Sequence, residues 1–212
     1  MDKRLMIIIL AIIVAFVGLV FYSKAQEANQ PAATGSNNVY GKGDSPVTLT
    51  EFIDFQCEAC YSYYPTIKEV KELYKDKVKF QVKNFPISSG HKFARMAAGY
   101  AEAAARQDKF WEMHDKIFEG QKTWQLSSDA SEYFKQYAEE IGLDMAKLDV
   151  DVKSSSVSAT INADLKEVQE LGGNGTPTFV LNGEKLEGID NSVEAFSKIL
   201  DDALAKQNTL EP

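Results

Sequence analysis

Hydrophobic and polar positions divide the chain into three stretches. Leu5 to Tyr22 is an uncharged apolar run without a polar face. Gln26 to Asn38 is rich in Gln, Ala, Asn, Gly and Ser, with Pro31, and reads as a flexible tether. From about Val39 the spacing of apolar positions is that of a folded domain, moving between the strand period and the helix period. Val47 to Phe55 alternates and is rich in β-branched and aromatic residues, which predicts a strand. Cys57-Glu58-Ala59-Cys60 follows at once. Tyr61 to Tyr74 then sets Tyr64, Ile67, Val70 and Leu73 or Tyr74 at helical spacing. Val78 to Phe85 predicts a second strand, closed by Pro86.

Between His91 and Leu171 the pattern is helical. Phe93, Met96, Ala97 and Tyr100 share one face, and Phe110, Met113, His114, Ile117 and Phe118 share the next. Two further helices are predicted over 130–141 and 146–171, the last ended by Gly172-Gly173-Asn174-Gly175. Thr176 to Leu181 predicts a third strand. Asn182-Gly183 predicts a hairpin turn, since both residues tolerate positive φ, and Lys185 to Gly188 returns as a fourth strand. Ser192 caps a closing helix that runs to about Ala205. The chain therefore reads as α/β, with a helical block inserted into a small strand–helix–strand, hairpin, helix unit. The divisions are a segment over 1–25, a linker over 26–38, the α/β domain over 39–90 and 172–206, and the insertion over 91–171.

Lys3 and Arg4 stand before the apolar run, which as a helix of 18 residues spans roughly 27 Å, close to a hydrocarbon core of ~30 Å. Basic residues on that side hold it in the cytoplasm and place the rest of the chain outside. Two readings compete. Ser23-Lys24-Ala25 offers small residues where a signal peptidase reads, giving cleavage near Ala25. The run is nevertheless longer than the usual core of a signal peptide, which favours an uncleaved anchor through residues 5–22. No lipid-attachment cysteine follows it. Either way the domain is expected in a compartment where disulfides persist.

At 212 residues and 44% apolar composition, the chain can bury a core without cross-links. Its net charge is -8, and beyond residue 25 there are 20 basic against 30 acidic residues. Such a surface repels phosphate backbones, so nucleic acid is not an expected partner. The two cysteines cannot form a disulfide framework. A structural disulfide usually closes a longer loop, and a metal half-site would need two more ligands where only His91 and His114 are available. No metal and no cofactor is expected. Both histidines read as surface or helix-packing residues.

What remains is chemistry on the pair itself. Cys57 and Cys60 lie where a strand ends and a helix begins. Unpaired N–H groups and the helix dipole favour an anion there, which lowers a thiol pKa and supplies the attacking thiolate. Cys57 at the helix tip is expected to act as nucleophile, with Cys60 one turn inward to resolve the mixed disulfide. Glu58 opposes the thiolate, but an exposed carboxylate in water acts weakly, on the order of 1 kcal/mol at ~4 Å. Glu51 alternates with Ile53 and Phe55. It is read either as a buried acid that takes the Cys60 proton or as an exposed strand residue. Thr176-Pro177 opens the third strand. Its functional reading is a cis bond facing the cysteines, with the Thr176 backbone open to an extended peptide; its ordinary reading is a trans bond at a strand start.

Four segments resemble one family in order. Phe52-Ile53-Asp54-Phe55-Gln56-Cys57-Glu58-Ala59-Cys60, Lys83-Asn84-Phe85-Pro86, Gln107 to Asp115 and Gly175-Thr176-Pro177-Thr178-Phe179 resemble DsbA-like thiol–disulfide oxidoreductases over about 39–205. The resemblance implies a thioredoxin-like fold with a helical insertion, a cis Pro177, a buried acid at Glu51 and a helix kink at Pro65. It also implies transfer of a disulfide to cysteine-containing exported proteins, with reoxidation by a quinone-linked membrane protein. Many family members carry Pro and, in strongly oxidising ones, His between the cysteines. Here Glu58 and Ala59 stand there and tune the potential. A reductase or isomerase of the same fold, and a non-catalytic binding or chaperone module with an inert disulfide, are the competing readings.

Overall fold

The computed structural model describes residues 13, 16–18 and 34–209. The expected anchor or signal segment falls for the most part outside the described residues; of its residues, Ile13 and 16–18 are helical. No helix among the described residues is long and apolar enough to cross a membrane.

Five strands form one sheet: β1 (Asn38–Gly41), β2 (Thr48–Ile53), β3 (Lys79–Asn84), β4 (Thr178–Leu181) and β5 (Glu184–Lys185), in the order β1-β3-β2-β4-β5. Helix α1 (Glu58–Tyr74) links the parallel pair β2 and β3, and every other pairing is antiparallel. Six helices lie between β3 and β4: α2 (Ala94–Ala105), α3 (Phe110–Glu119), α4 (Gln121–Trp124), α5 (Ser131–Glu140), α6 (Met145–Asp151) and α7 (Ser155–Glu170). The closing helix α8 is Val193–Asn208, with the Ser192 hydroxyl accepting from the Ala195 N–H.

Strand β2 is buried between two neighbours, so its side chains feed cores on both sides. Leu49 packs with Ile67 and Val70 of α1 and Phe196 and Leu200 of α8. Ile53 joins the core of the helical block, with Met113, Ile117, Phe118, Trp124 and Phe134. Phe52, on the opposite face, meets Val168 of α7 and Val180.

The differences from the sequence pattern have local causes. The helix expected over 146–171 is two helices, because Ser154 accepts from the Val157 N–H and starts a new one. A serine hydroxyl competes well for those free donors. Strand β4 begins at Thr178 rather than Thr176, and β5 ends at Lys185 rather than Gly188. Asn182 and Gly183 do turn the hairpin at positive φ, 51° and 87°. Met96 stands at the surface while Phe93, Ala97 and Tyr100 are buried.

Strand β1 was not anticipated, and the tether expected over 26–38 overlaps the fold at its end. Ser36 and Asn38 are buried in a polar knot. The Ser36 N–H donates to Asp164 at 2.8 Å, its hydroxyl bonds to Glu102 at 2.7 Å, and Asn38 Nδ2 donates to Glu102 at 2.8 Å. Asn84 of β3 donates to both carboxylates, at 2.7 Å to Glu102 and 3.0 Å to Asp164.

Candidate functional site

Strand β2 ends at Ile53 and the chain reverses through Asp54–Cys57, where the Cys57 N–H donates to the Asp54 carbonyl at 3.0 Å. Cys57 is then the N-cap residue of α1, with extended backbone (φ -74°, ψ 126°) and no side-chain cap. Its thiol takes the place that a serine or aspartate oxygen would occupy, over the free N–H groups of the first turn. Helix α1 begins at Glu58, earlier than its apolar spacing suggested, and contains Pro65.

The two sulfurs stand in contrasting surroundings. Cys57 is half-buried and Cys60 is buried; both are free thiols. The Cys57 thiol is lowered to about 5. The hydrogen bond from Cys60 is the main cause; the Thr176 side chain and the backbone N–H groups of Cys60 and Ala59 add to it, against the opposing effect of burial. The Thr176 hydroxyl is buried without a hydrogen-bond partner. Cys60 is pushed well up by burial and then by its neighbour Cys57. Glu58 and Ala59 are exposed.

The Thr176–Pro177 peptide is cis, and the Thr176 carbonyl accepts from the Cys57 thiol at 3.4 Å. Thr176 and Pro177 also line an open groove of about 330 Å³ with Tyr63, Phe179, Leu186 and Ile189. The loop before β4 is thus brought against the helix tip.

Glu51 is 7% exposed and raised to about 7 by burial, with Lys71 acting in the other direction. It contributes to the raised thiol of Cys60. A cavity of about 10 Å³ lies among Glu51, Lys71, His114 and Trp111, room for about one water. Lys71 is itself pushed down to about 8 by burial, its Nζ 3.8 Å from the centre of the Trp111 ring. His114 is buried among Phe55, Tyr64, Phe110, Trp111 and Phe118 and lowered to about 4 by burial. His91, 28% exposed at its side chain, pairs with Asp54 at 2.7 Å. Among the described residues, no group of three or more His, Cys, Asp or Glu side chains could hold a metal ion.

Sequence reasoning missed Lys71 and Gln121. Lys71 lay open to discovery, since it falls on the buried stripe of α1 with Cys60, Ile67 and Tyr74. Gln121, whose amide donates to the Phe55 carbonyl at 2.8 Å and the Cys57 carbonyl at 3.0 Å, carries no local signal.

The family model described as thioredoxin matches residues 33–202. The chain is 31% identical over 175 residues to the Na(+)/H(+) antiporter NhaA 3 of Salinispora tropica. That match covers 82% of this chain and 26% of the antiporter, so the chain spans about a quarter of the length of the curated relatives it matches. A thioredoxin-like oxidoreductase from Silicibacter pomeroyi superposes with a TM-score of 0.67 at 27% identity, covering 82% of this chain and 94% of that one. The thiol-disulfide exchange protein alpha-DsbA2 of Wolbachia pipientis gives 0.68 at 20% identity, covering 78% and 86%. The chain belongs to the thioredoxin family, and its fold is the one found in thiol–disulfide oxidoreductases of the DsbA type.

Proposed function

We propose that the chain donates the Cys57–Cys60 disulfide to cysteine-containing proteins outside the cytoplasm. The carrying observation is the split in acidity between the two sulfurs, Cys57 lowered to about 5 and Cys60 raised. A client thiolate attacks Cys57 Sγ, and the S–S bond to Cys60 breaks. Cys60 leaves with the electron pair and takes a proton, for which Glu51 is the nearby acid. A second client thiolate then attacks the client sulfur of the mixed disulfide and expels Cys57. The client loses two electrons and the enzyme gains them. A stable Cys57 thiolate is a good leaving group, and its stability favours the reduced enzyme, which makes the disulfide oxidising. The groove beside Thr176 and Pro177 receives the client chain in extended form.

The apolar run Leu5–Tyr22 with its preceding bases supports an anchor that holds the domain outside the membrane. Reoxidation falls to a quinone-linked membrane protein, as the family resemblance implies. Equilibrating the full chain with glutathione buffers tests the direction. A potential above roughly -180 mV is expected, and a value near -270 mV or lower would overturn donation in favour of reduction.

A further inference from the structure

Each residue of the turn Asp54–Cys57 is hydrogen-bonded to the segment 87–121, which leads into and opens the helical block. Asp54, 1% exposed, accepts at Oδ2 from the Ile87 N–H and pairs there with His91 Nδ1, both at 2.7 Å. The Phe55 carbonyl accepts from Gln121 Nε2 at 2.8 Å. Gln56 Oε1 accepts from the Phe93 N–H at 2.7 Å. The Cys57 carbonyl accepts from Gln121 Nε2 at 3.0 Å. The block is therefore bonded to the redox turn, and does more than cover it.

Of these ties, the one to Cys57 itself is made by Gln121. Its two amide hydrogens bracket the turn, one on each side of Gln56. The Cys57 carbonyl already accepts the first bond of α1 from the Tyr61 N–H at 3.0 Å. Gln121 gives it a second donor, which offsets more of the partial negative charge on a carbonyl in the same residue as the sulfur. The placement of Gln121 is equally fixed. It opens α4 directly after Gly120, where an added Cβ would lie 2.0 Å from the Tyr137 hydroxyl of α5.

Gln121 is 1% exposed, and its Oε1 is buried with no hydrogen-bond partner. Leaving such an acceptor unpaired is unfavourable. A methionine would fill a similar volume and bury no polar oxygen. A residue that breaks the local rule in this way is most intelligible when its remaining atoms serve the site. Here those atoms are the two N–H donors.

We infer that Gln121 is a positioning residue of the redox pair, through which the helical block sets the reactivity of Cys57. This rests on Cys57 being the exchanging thiol and adds the element that tunes it. Removing the donors leaves the carbonyl's partial negative charge less offset within the same residue as the sulfur, so the thiolate is less favoured and the disulfide is favoured at equilibrium.

Gln121→Met and Gln121→Glu in the full chain test this. Thiolate absorbance is titrated against pH, the glutathione equilibrium is measured, and thermal midpoints are recorded alongside. One lost hydrogen bond predicts about a three- to tenfold fall in the thiolate-to-thiol ratio for Q121M, with the glutathione equilibrium moving toward the disulfide by the same factor. Q121E, which sets a negative acceptor against two carbonyls, moves both further in that direction. If either variant fails to fold, Gln121→Asn, which withdraws the amide by one methylene, is read in the same way. Wild-type titration and equilibrium in these variants, whatever their thermal midpoints, would overturn the inference and leave Gln121 a packing residue. If the wild type itself does not exchange with glutathione, the proposed function fails. The thiolate titration needs no exchange and still decides the role of Gln121.

Discussion

Glu51 is an acid largely removed from bulk water, and this has a measurable cost. Its pKa is about 7 in the fold against an ordinary 4.5, so the unfolded chain releases that proton at lower pH than the folded one. As pH rises from about 4.5 to 7, the unfolded state gains the advantage and stability falls, then levels off above the folded value. Glu51→Gln removes this loss. In urea titrations of the reduced protein, the variant should gain on the wild type through that window by about 1–3 kcal/mol. A stability difference independent of pH would show that Glu51 is not buried as an acid. The same variant should slow exchange, since Cys60 then lacks its neighbouring proton source. The cysteine pair was legible because its chemistry follows from residue type and place where a strand ends and a helix begins, whereas a buried Glu51 and a cis Pro177 were expected only from the family resemblance. Gln121 was not legible, because it acts across 64 positions of sequence on a carbonyl that every residue possesses.

Two helix starts in the inserted block, those of α6 and α7, are set by single side chains. Ser154 ends any continuation of α6 and starts α7 by accepting from Val157, and Asp144 does the same for α6 by accepting from Lys147 at 3.0 Å. Ser154→Ala should cost about 1 kcal/mol, read as a lower urea midpoint at unchanged slope. An unchanged midpoint would mean that the break is held by tertiary packing alone. The periodic pattern over 146–171 concealed this break, since apolar spacing continues almost in phase across it. Strand β1 was hidden for a different reason. Its four residues, Asn-Val-Tyr-Gly, are too few to show alternation, and pairing with β3 defines them. Strand β2 was legible because, Glu51 aside, its residues are apolar or β-branched, as befits a buried central strand.

Across the whole molecule, the acidity of Cys57 ties fold stability to redox state. Its pKa is about 5 in the fold against an ordinary 9, and the effect exists only in the dithiol form. A lowered acid gives stability that is fully present above the unfolded value and lost as pH falls through the folded one. The stability of the dithiol form relative to the disulfide form should therefore climb as pH rises from 5 toward 9. Thermal midpoints of both forms across that range check it, and a flat difference would argue against disulfide donation. The polar knot at Ser36 bears on a separate matter, the order in which the chain becomes whole. Ser36 closes on Asp164 across 128 positions, and Asn38 on Glu102 across 64. During synthesis β1 can thus pair with β3 and Asn38 can reach Glu102 early, while the bonds of Ser36 to Asp164 wait until α7 has been made. A chain truncated before residue 164 should leave the backbone around Ser36 more open to proteases, while the full chain ties it down with a helix made more than a hundred residues later.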